Sequence, residues 1–253
     1  MHVAYFSLFW LCTKTTLEKR LDEEAAEREA RRKEREESHL YLSVRVITDD
    51  TYRAYGGTDL TVFDAKHDVD PAAARSYRLL RKLTVKELAA RVGQDTGCDP
   101  RRIRLWCMVN RQNKTVRPDA PILDVDSTLE ETHLKMSGNK QQELRLWAEI
   151  ADEVTPQGEA VWPTYQNVHN GTFGLPKTDL IVLFLKHFDV EEQALAGVGH
   201  IYISKEKKVE ELVPVILKKM QWPEKLPNGE KLQLKLYEVC HVSYFSKIYL
   251  TTV

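Results

Sequence analysis

The sequence has few cysteines, no excess of either charge and no long apolar run, and each feature excludes a class of protein. Its four cysteines, at positions 12, 98, 107 and 240, contain no close pair for a CxxC zinc site or a disulfide framework. Lys and Arg number 37 and Asp and Glu 38, so the chain lacks the basic excess of a dedicated nucleic-acid binder. No apolar run reaches the roughly 20 residues that a membrane helix needs. We therefore expect a protein of a reducing compartment, without metal or cofactor, whose partners are neither nucleic acids nor membranes.

The two ends differ in composition from the rest of the chain. Residues 1–15 open with an apolar, aromatic segment that lacks the positive start and the cleavage site of a secretory signal. We interpret them as a disordered or aberrant start. Residues 240–253 are again aromatic and β-branched, and their apolar residues alternate as in a strand. We interpret them as a divergent tail, which could take the place of a missing last strand.

Residues 16–38 predict a charged connector helix. Opposite charges recur four residues apart, as in Glu24 with Arg28 and Glu27 with Arg31. Each such pair adds about 0.2–0.5 kcal/mol to a helix. The apolar stripe is too thin for a coiled coil, so the helix is expected to be solvated.

The remainder predicts two α+β domains, at residues 39–151 and 178–239, joined by a linker at 152–177 that is rich in Pro, Gly and Asn. Both follow the order strand, strand, helix, strand. This is the order of the β-grasp, or ubiquitin-like, fold, and two tandem copies fit the length. The second copy is expected to be incomplete. Whether the two domains pack rigidly or swing on the linker stays open.

Local signals place the elements of the first domain. Thr84 and Glu87 can form a capping box that begins a helix, and Gly97 is suited to end it. Alternating apolar residues predict strands at 39–47, 77–83, 103–109 and 144–150, listed here in chain order. In the second domain, a continuous apolar strand at 179–188 and a second strand at 199–204 precede a helix over 209–220.

No cysteine lies in a sequence context that indicates a nucleophile. Cys107 falls on the apolar side of a strand and is predicted to be in the core, whereas Cys98 is interpreted as a plain thiol in a loop. Cys240 and His241 are adjacent, and adjacent residues of a strand point to opposite faces. We therefore predict no catalytic residue.

Two features suggest contacts with a partner. Trp106 lies on the opposite face of its strand from Leu105. It is either covered by a loop or by the other domain, or it anchors a partner, since Trp is enriched in interface hot spots. Residues 110–118 carry Arg111, Lys114 and Arg117, which either dock an acidic partner or belong to a turn and an edge strand.

An ordered set of short stretches resembles the region after the catalytic domain of the herpesvirus-associated ubiquitin-specific protease family, most closely its fungal members. The stretches are ESHLY at 37–41, IRLW at 103–106, NRQNKTVRP at 110–118, LFLK at 183–186, GHIY at 199–202, LVPV at 212–215 and LYE at 236–238. The resemblance covers residues 16–239 and implies the first two of several ubiquitin-like domains. The family is one of thiol proteases, and the resemblance implies that its catalytic domain lies upstream of this region.

The resemblance also implies a function, which is a non-catalytic partner-binding and regulatory module in the deubiquitination pathway. The implied partners are ubiquitin ligases, deubiquitination substrates and the catalytic domain of the full-length protease, and the implied location is the nucleus and the cytoplasm. Glu238 matches the family's acidic partner pocket, although Val239 stands where the family usually has a second Glu. Two alternatives stay open: an incomplete gene product or free-standing ubiquitin-like adaptor, and a deubiquitinase in its own right.

Overall fold

The computed structural model of this chain describes residues 16–63, 70–110, 115–137, 142–163, 180–237 and 251–252. The chain divides into two compact units, Met1–Tyr41 and Leu42–Val253. Every helix in the described ranges is too short or too polar to cross a membrane.

The first unit contains a single charged helix, α1 (Thr16–Glu37), which ends within one residue of the predicted span. Arg28 pairs with Glu24 at 3.4 Å and Arg31 with Glu27 at 2.6 Å, one turn apart as the sequence predicts. Of the side chains that the structure describes in this helix, those from Thr16 to Glu36 are exposed, including that of Leu17. The helix is therefore stabilised by its own charge pattern rather than by a core.

The second unit begins with a five-stranded mixed sheet and three helices. The strands are β1 (Tyr41–Ile47), β2 (Arg75–Leu80), β3 (Ile103–Asn110), β4 (Val116–Pro121) and β5 (Glu143–Ile150), and the helices are α2 (Asp49–Ala54), α3 (Val85–Thr96) and α4 (Leu129–Ser137). The strand order is β2-β1-β5-β3-β4. β1 and β5 are parallel, and β3 runs antiparallel to both β4 and β5. We call residues 42–151 the first module.

The helix α3 packs across one face of this sheet, as its sequence predicts. The Thr84 hydroxyl accepts a hydrogen bond from the Glu87 backbone, and the Glu87 carboxylate accepts one from the Thr84 backbone at 2.7 Å. Gly97 ends the helix with φ of 69°, in the left-handed region that glycine tolerates. The buried residues Leu88 and Val92 share a core with apolar residues of the strands. The capping box and the apolar face of this helix are thus confirmed.

The helices α2 and α4 lie in segments for which the sequence analysis predicted no helix. Both carry a local signal for a helix start. Thr48 and Thr51 form reciprocal side-chain to backbone hydrogen bonds at the start of α2. Thr128 and Glu131 do the same before α4, at 3.2 and 3.1 Å. A Thr followed three residues later by Glu is the capping-box pattern, so the sequence contained the evidence for α4.

The second module, residues 180–237, has a hairpin and a helix. Strands β6 (Leu180–Asp189) and β7 (Ala194–Ser204) pair in antiparallel register. The helix α5 (Leu212–Met220) follows a short 3-10 turn and packs on the hairpin, where Ile216 shares a core with Leu185 and Ile201. A short strand, β8 (Leu234–Lys235), follows and pairs in antiparallel register with β9 (Thr251–Thr252). The predicted strand pattern at 242–250 lies outside the described residues. Both modules are mixed α and β, which confirms the α+β class.

Candidate functional site

The hairpin β6–β7 covers the face of the first module's sheet that points away from α3. We call this contact the seam. Its centre is aromatic: Trp147 is completely buried, with its ring 4.9 Å from that of Phe184 and 4.8 Å from that of His200, both edge-on. Tyr52 meets Phe184 in the same way at 5.4 Å. Such edge-to-face pairs add to the free energy of apolar burial, so the seam holds the two modules together.

Successive side chains of β3 point to opposite faces of the sheet, and this alternation explains why the face toward the hairpin is aromatic and polar. Leu105 and Cys107 join the core beneath α3, whereas Trp106 and Met108 join the apolar cluster on the seam side. Trp106 is only 5% exposed, and its ring lies 5.8 Å from that of Trp147. Trp106 is therefore buried in the cluster against which Val182 and Phe184 of the hairpin pack.

Glu149, on β5, is the centre of the hydrogen bonds in the seam. It is 2% exposed. Its Oε2 atom accepts hydrogen bonds from Arg104 Nε at 2.9 Å and from Trp106 Nε1 at 2.6 Å. Its Oε1 atom accepts one from the Tyr202 hydroxyl and lies 3.7 Å from His200 Nε2. One carboxylate oxygen is thus held by its own sheet and the other by the second module.

This arrangement controls the ionisation of both partners across the seam. Burial raises the pKa of Glu149, but the His200 ring, the Arg104 charge and the donated hydrogen bonds outweigh it, so that the pKa lies below the ordinary value. Burial and the Glu149 charge raise the pKa of Tyr202 far above its ordinary value. Glu149 is therefore an anion and Tyr202 a hydrogen-bond donor at neutral pH. These groups are paired with one another, which suits structural docking rather than proton transfer to a substrate.

Arg104 extends the cluster toward the surface. Its guanidinium lies 2.8 Å from Glu149 Oε2, 5.1 Å from the centre of the Trp106 ring and 4.2 Å from the centre of the Trp162 ring. Trp162 borders a cleft of about 530 Å³ between the end of β5, the hairpin and α5. The buried charge is thus shielded by two aromatic faces, a favourable arrangement for a guanidinium.

A second polar contact joins the segment after β1 to the hairpin. The Tyr52 hydroxyl donates to the Leu185 carbonyl at 2.7 Å. Lys186 Nζ donates to the carbonyls of Tyr55 and Gly57 at 2.9 and 2.6 Å. Gly197 lies opposite Lys186 in β7, and a Cβ atom there would overlap the Tyr52 carbonyl oxygen. Only glycine fits this position without moving the backbone.

The structure places two of the predicted partner-binding residues. Trp106 is in the seam. Arg117, on the edge strand β4, donates from Nη1 to Asp59 and to the Val116 carbonyl, the latter at 2.8 Å. Arg111, Lys114 and Glu238 lie outside the described residues. Sequence analysis did not identify Glu149, although its β5 position directly opposite Arg104 of β3 follows from the strand register.

The described cysteines do not resemble nucleophiles. Cys107 is in the core of the first module, as predicted, and burial raises the pKa of its thiol to about 12. Cys98 is half-buried after α3, with its sulfur 3.8 Å from the Thr96 carbonyl oxygen. Over the ranges that the structure describes, His, Cys, Asp and Glu side chains form no group of three or more suited to a metal ion.

Comparison with known proteins gives several relatives among ubiquitin hydrolases. The chain is 31% identical over 209 residues to ubiquitin carboxyl-terminal hydrolase 15 of Schizosaccharomyces pombe, covering 82% of this chain and 17% of that protein. It is 30% identical over 212 residues to ubiquitin carboxyl-terminal hydrolase 5 of the same yeast, covering 83% and 17%. It is 27% identical over 196 residues to ubiquitin C-terminal hydrolase 13 of Arabidopsis thaliana, covering 77% and 16%. The chain thus spans only 16–17% of the length of these relatives.

A family model gives a more specific result. The model of the ICP0-binding domain of ubiquitin-specific protease 7 matches residues 103–251. This range runs from β3 through the second module and contains both sides of the Glu149 cluster. The resemblance to the ubiquitin-specific protease family is thereby confirmed. Because the match takes in more than half of the sequence, the chain belongs to the family of the ICP0-binding domain of ubiquitin-specific protease 7.

Proposed function

We propose that this chain is a non-catalytic partner-binding and regulatory module of a ubiquitin-specific protease. The observation that carries the proposal is the family match over residues 103–251, because that family is named for binding a protein, ICP0. The hydrolase activity in the relatives' names belongs to proteins of which this chain spans 16–17%. A docking module within a larger protease accounts for both facts.

We infer that the first module is a β-grasp, ubiquitin-like domain and that the second is a further domain of the same kind. The sheet order β2-β1-β5-β3-β4, with a parallel β1–β5 pair and α3 across one face, supports the first assignment. The hairpin β6–β7 followed by α5 repeats the beginning of that order and supports the second.

The chemistry of the described residues supports a non-catalytic role. A thiol protease needs an accessible thiolate with a base beside it. Burial raises the pKa of Cys107 to about 12, the opposite of what activation of a thiol requires. The carboxylate, imidazole and phenol that the fold does bring together, at Glu149, His200 and Tyr202, are buried against one another.

The partners that we propose are proteins, namely ubiquitin ligases or deubiquitination substrates, together with the catalytic domain of the full-length protease. Because Trp106 is only 5% exposed, docking is proposed to use surfaces outside the seam. Arg117 stays a candidate, as do Arg111, Lys114 and Glu238. A location in the nucleus and cytoplasm stays a prediction.

A chimera of the yeast relative tests the proposal. In ubiquitin carboxyl-terminal hydrolase 15 of Schizosaccharomyces pombe, the matching segment is either deleted or replaced by this chain. We expect the deletion to retain hydrolysis of a minimal fluorogenic ubiquitin substrate but to lose proteins that co-purify with the intact hydrolase. We expect the replacement to recover at least part of that set. A deletion that keeps every co-purifying protein would overturn the proposal.

The competing hypothesis, a deubiquitinase in its own right, is tested on the purified chain alone. Incubation with the same fluorogenic substrate should give no turnover above the rate of a heat-denatured sample. Turnover that is abolished by thiol alkylation would show that the chain is itself an enzyme. A Cys98→Ser variant is the matched control, since Cys98 is the more exposed of the two described cysteines.

A further inference from the structure

The ammonium group of Lys186 is buried in the seam without a carboxylate partner. The residue is 7% exposed. Its Nζ atom donates to two backbone carbonyls, those of Tyr55 and Gly57, and lies 5.1 Å and 4.6 Å from the ring centres of Tyr52 and Tyr55. Among the described residues, no carboxylate oxygen is within ion-pairing distance of Nζ. Burial of an ammonium group without a counter-ion is unfavourable.

The number of hydrogen bonds at the site fits a neutral amine better than an ammonium ion. A lysine ammonium has three N–H donors, and the described surroundings offer two carbonyl acceptors. A neutral amine has two N–H donors and a lone pair. It can therefore satisfy both carbonyls of the first module and leave no N–H without an acceptor.

The charged groups near Lys186 act in opposite directions. Burial is the largest influence and lowers its pKa, Asp59 raises it and Arg117 lowers it again, with the result at about 8. The two tyrosine rings favour the cation. In the neighbouring strand β7, the residue opposite Lys186 is the uncharged Gly197. In helix α2, Asp50 and Arg53 are exposed and pair with each other, with 3.8 Å between Asp50 Oδ1 and Arg53 Nη1.

We propose that Lys186 is a proton-sensitive latch, through which the hairpin β6–β7 docks on the first module more tightly when the amine is neutral than when it is protonated. The sign follows from linkage. In the undocked chain the lysine keeps its ordinary pKa of 10.5, whereas in the docked chain it loses its proton near pH 8. Between these values the docked state binds fewer protons, so docking becomes more favourable as the pH rises. At neutral pH the seam therefore holds a buried ammonium group without a carboxylate partner, which weakens the docking of the hairpin.

The first test observes the titration directly. In the full chain, the Cε and Nζ resonances of the lysines are followed by NMR between pH 6.5 and 11 (about the range in which lysines titrate), and the Lys186 signal is assigned by its loss in a Lys186→Arg variant. The expected midpoint is about 8. A midpoint at the ordinary value of 10.5 would overturn the proposal.

The second test measures the consequence for stability. Urea unfolding of the wild type, of Lys186→Met and of the matched control Lys218→Met, an exposed lysine of α5, is compared at pH 7 and pH 9.5. Relative to Lys186→Met, the wild-type unfolding constant should fall roughly 25-fold between the two pH values, as the pKa values of 10.5 and about 8 require. The control should follow the wild type. Parallel pH dependence in wild type and Lys186→Met would contradict the latch, and the NMR titration decides the question if Lys186→Met does not fold.

Discussion

Replacing Glu149 by leucine should destabilise the chain by about 3–5 kcal/mol, because it leaves Arg104 buried without its counter-ion. The carboxylate accepts two hydrogen bonds within its own sheet and one from Tyr202 of the second module. Since a domain of this size is stable by about 5–15 kcal/mol, the change would remove a large part of the total.

The double variant separates the ion pair from the rest of the cluster. Replacing a buried pair by apolar residues is often neutral, whereas removing one partner is strongly destabilising. In the Arg104→Leu, Glu149→Leu double variant, Trp106 and Tyr202 still lose an acceptor, at about 1–3 kcal/mol each. We therefore expect the double variant to be less destabilised than the sum of the single variants by at least about 2 kcal/mol.

The assay is urea unfolding of the full chain followed by far-UV circular dichroism. Glu153→Leu is the matched control, since Glu153 is an exposed glutamate four residues along the chain. An exposed substitution of this kind should stay within about 0.5 kcal/mol of the wild type. A Glu149→Leu variant as stable as the control, or single effects that simply add in the double variant, would show that the Arg104–Glu149 pair does not stabilise the seam.

Three further predictions follow from single contacts. Gly197→Ala should destabilise the chain by about 1–3 kcal/mol, because the new Cβ meets the Tyr52 carbonyl oxygen, and the urea midpoint measures this. Thr84→Ala should remove about 1 kcal/mol through loss of the capping box of α3, visible as a lower thermal midpoint. The pKa of Glu149 is lowered in the folded chain, so its contribution is complete above the ordinary glutamate range and is lost as the pH falls below it. Glu149→Gln should accordingly show a shallower loss of stability between pH 7 and pH 3 (about the range in which carboxylates titrate).

Each of these predictions has a control. Ala196→Ser changes an exposed neighbour of Gly197 on the same strand and should be neutral. Thr84→Ser keeps a hydroxyl cap and should recover most of the stability that alanine loses. Glu153→Gln, at an exposed glutamate four residues along the chain, is the matched control for the acid profile. A wild-type acid profile in Glu149→Gln would mean that Glu149 titrates alike in the folded and unfolded chains.

The elements that were correctly predicted depend on local sequence. The helix α3 was predicted from Thr84, Glu87 and Gly97, which lie within one segment and act on the adjacent backbone. Cys107 was placed in the core by the alternation of β3 alone. The second strand was predicted at 77–83, but β2 begins two residues earlier and ends at Leu80. The chain turns at residues 81–83, where the Leu83 amide donates a hydrogen bond to the Leu80 carbonyl at 3.0 Å.

By itself the sequence determined the capped helix α3, the alternating strands and the α+β class, because hydrogen bonds and side-chain periodicity within a few residues fix them. The family was indicated separately, by an ordered set of short stretches. Only the tertiary structure decided what covers Trp106 and which groups meet at Glu149 and Lys186. Tyr202 is 53 residues from Glu149, and Tyr55 is 131 residues from Lys186. An outward-facing aromatic residue has the same local pattern whether a second module or a partner covers it, so only the packing of the hairpin on the sheet distinguishes the two.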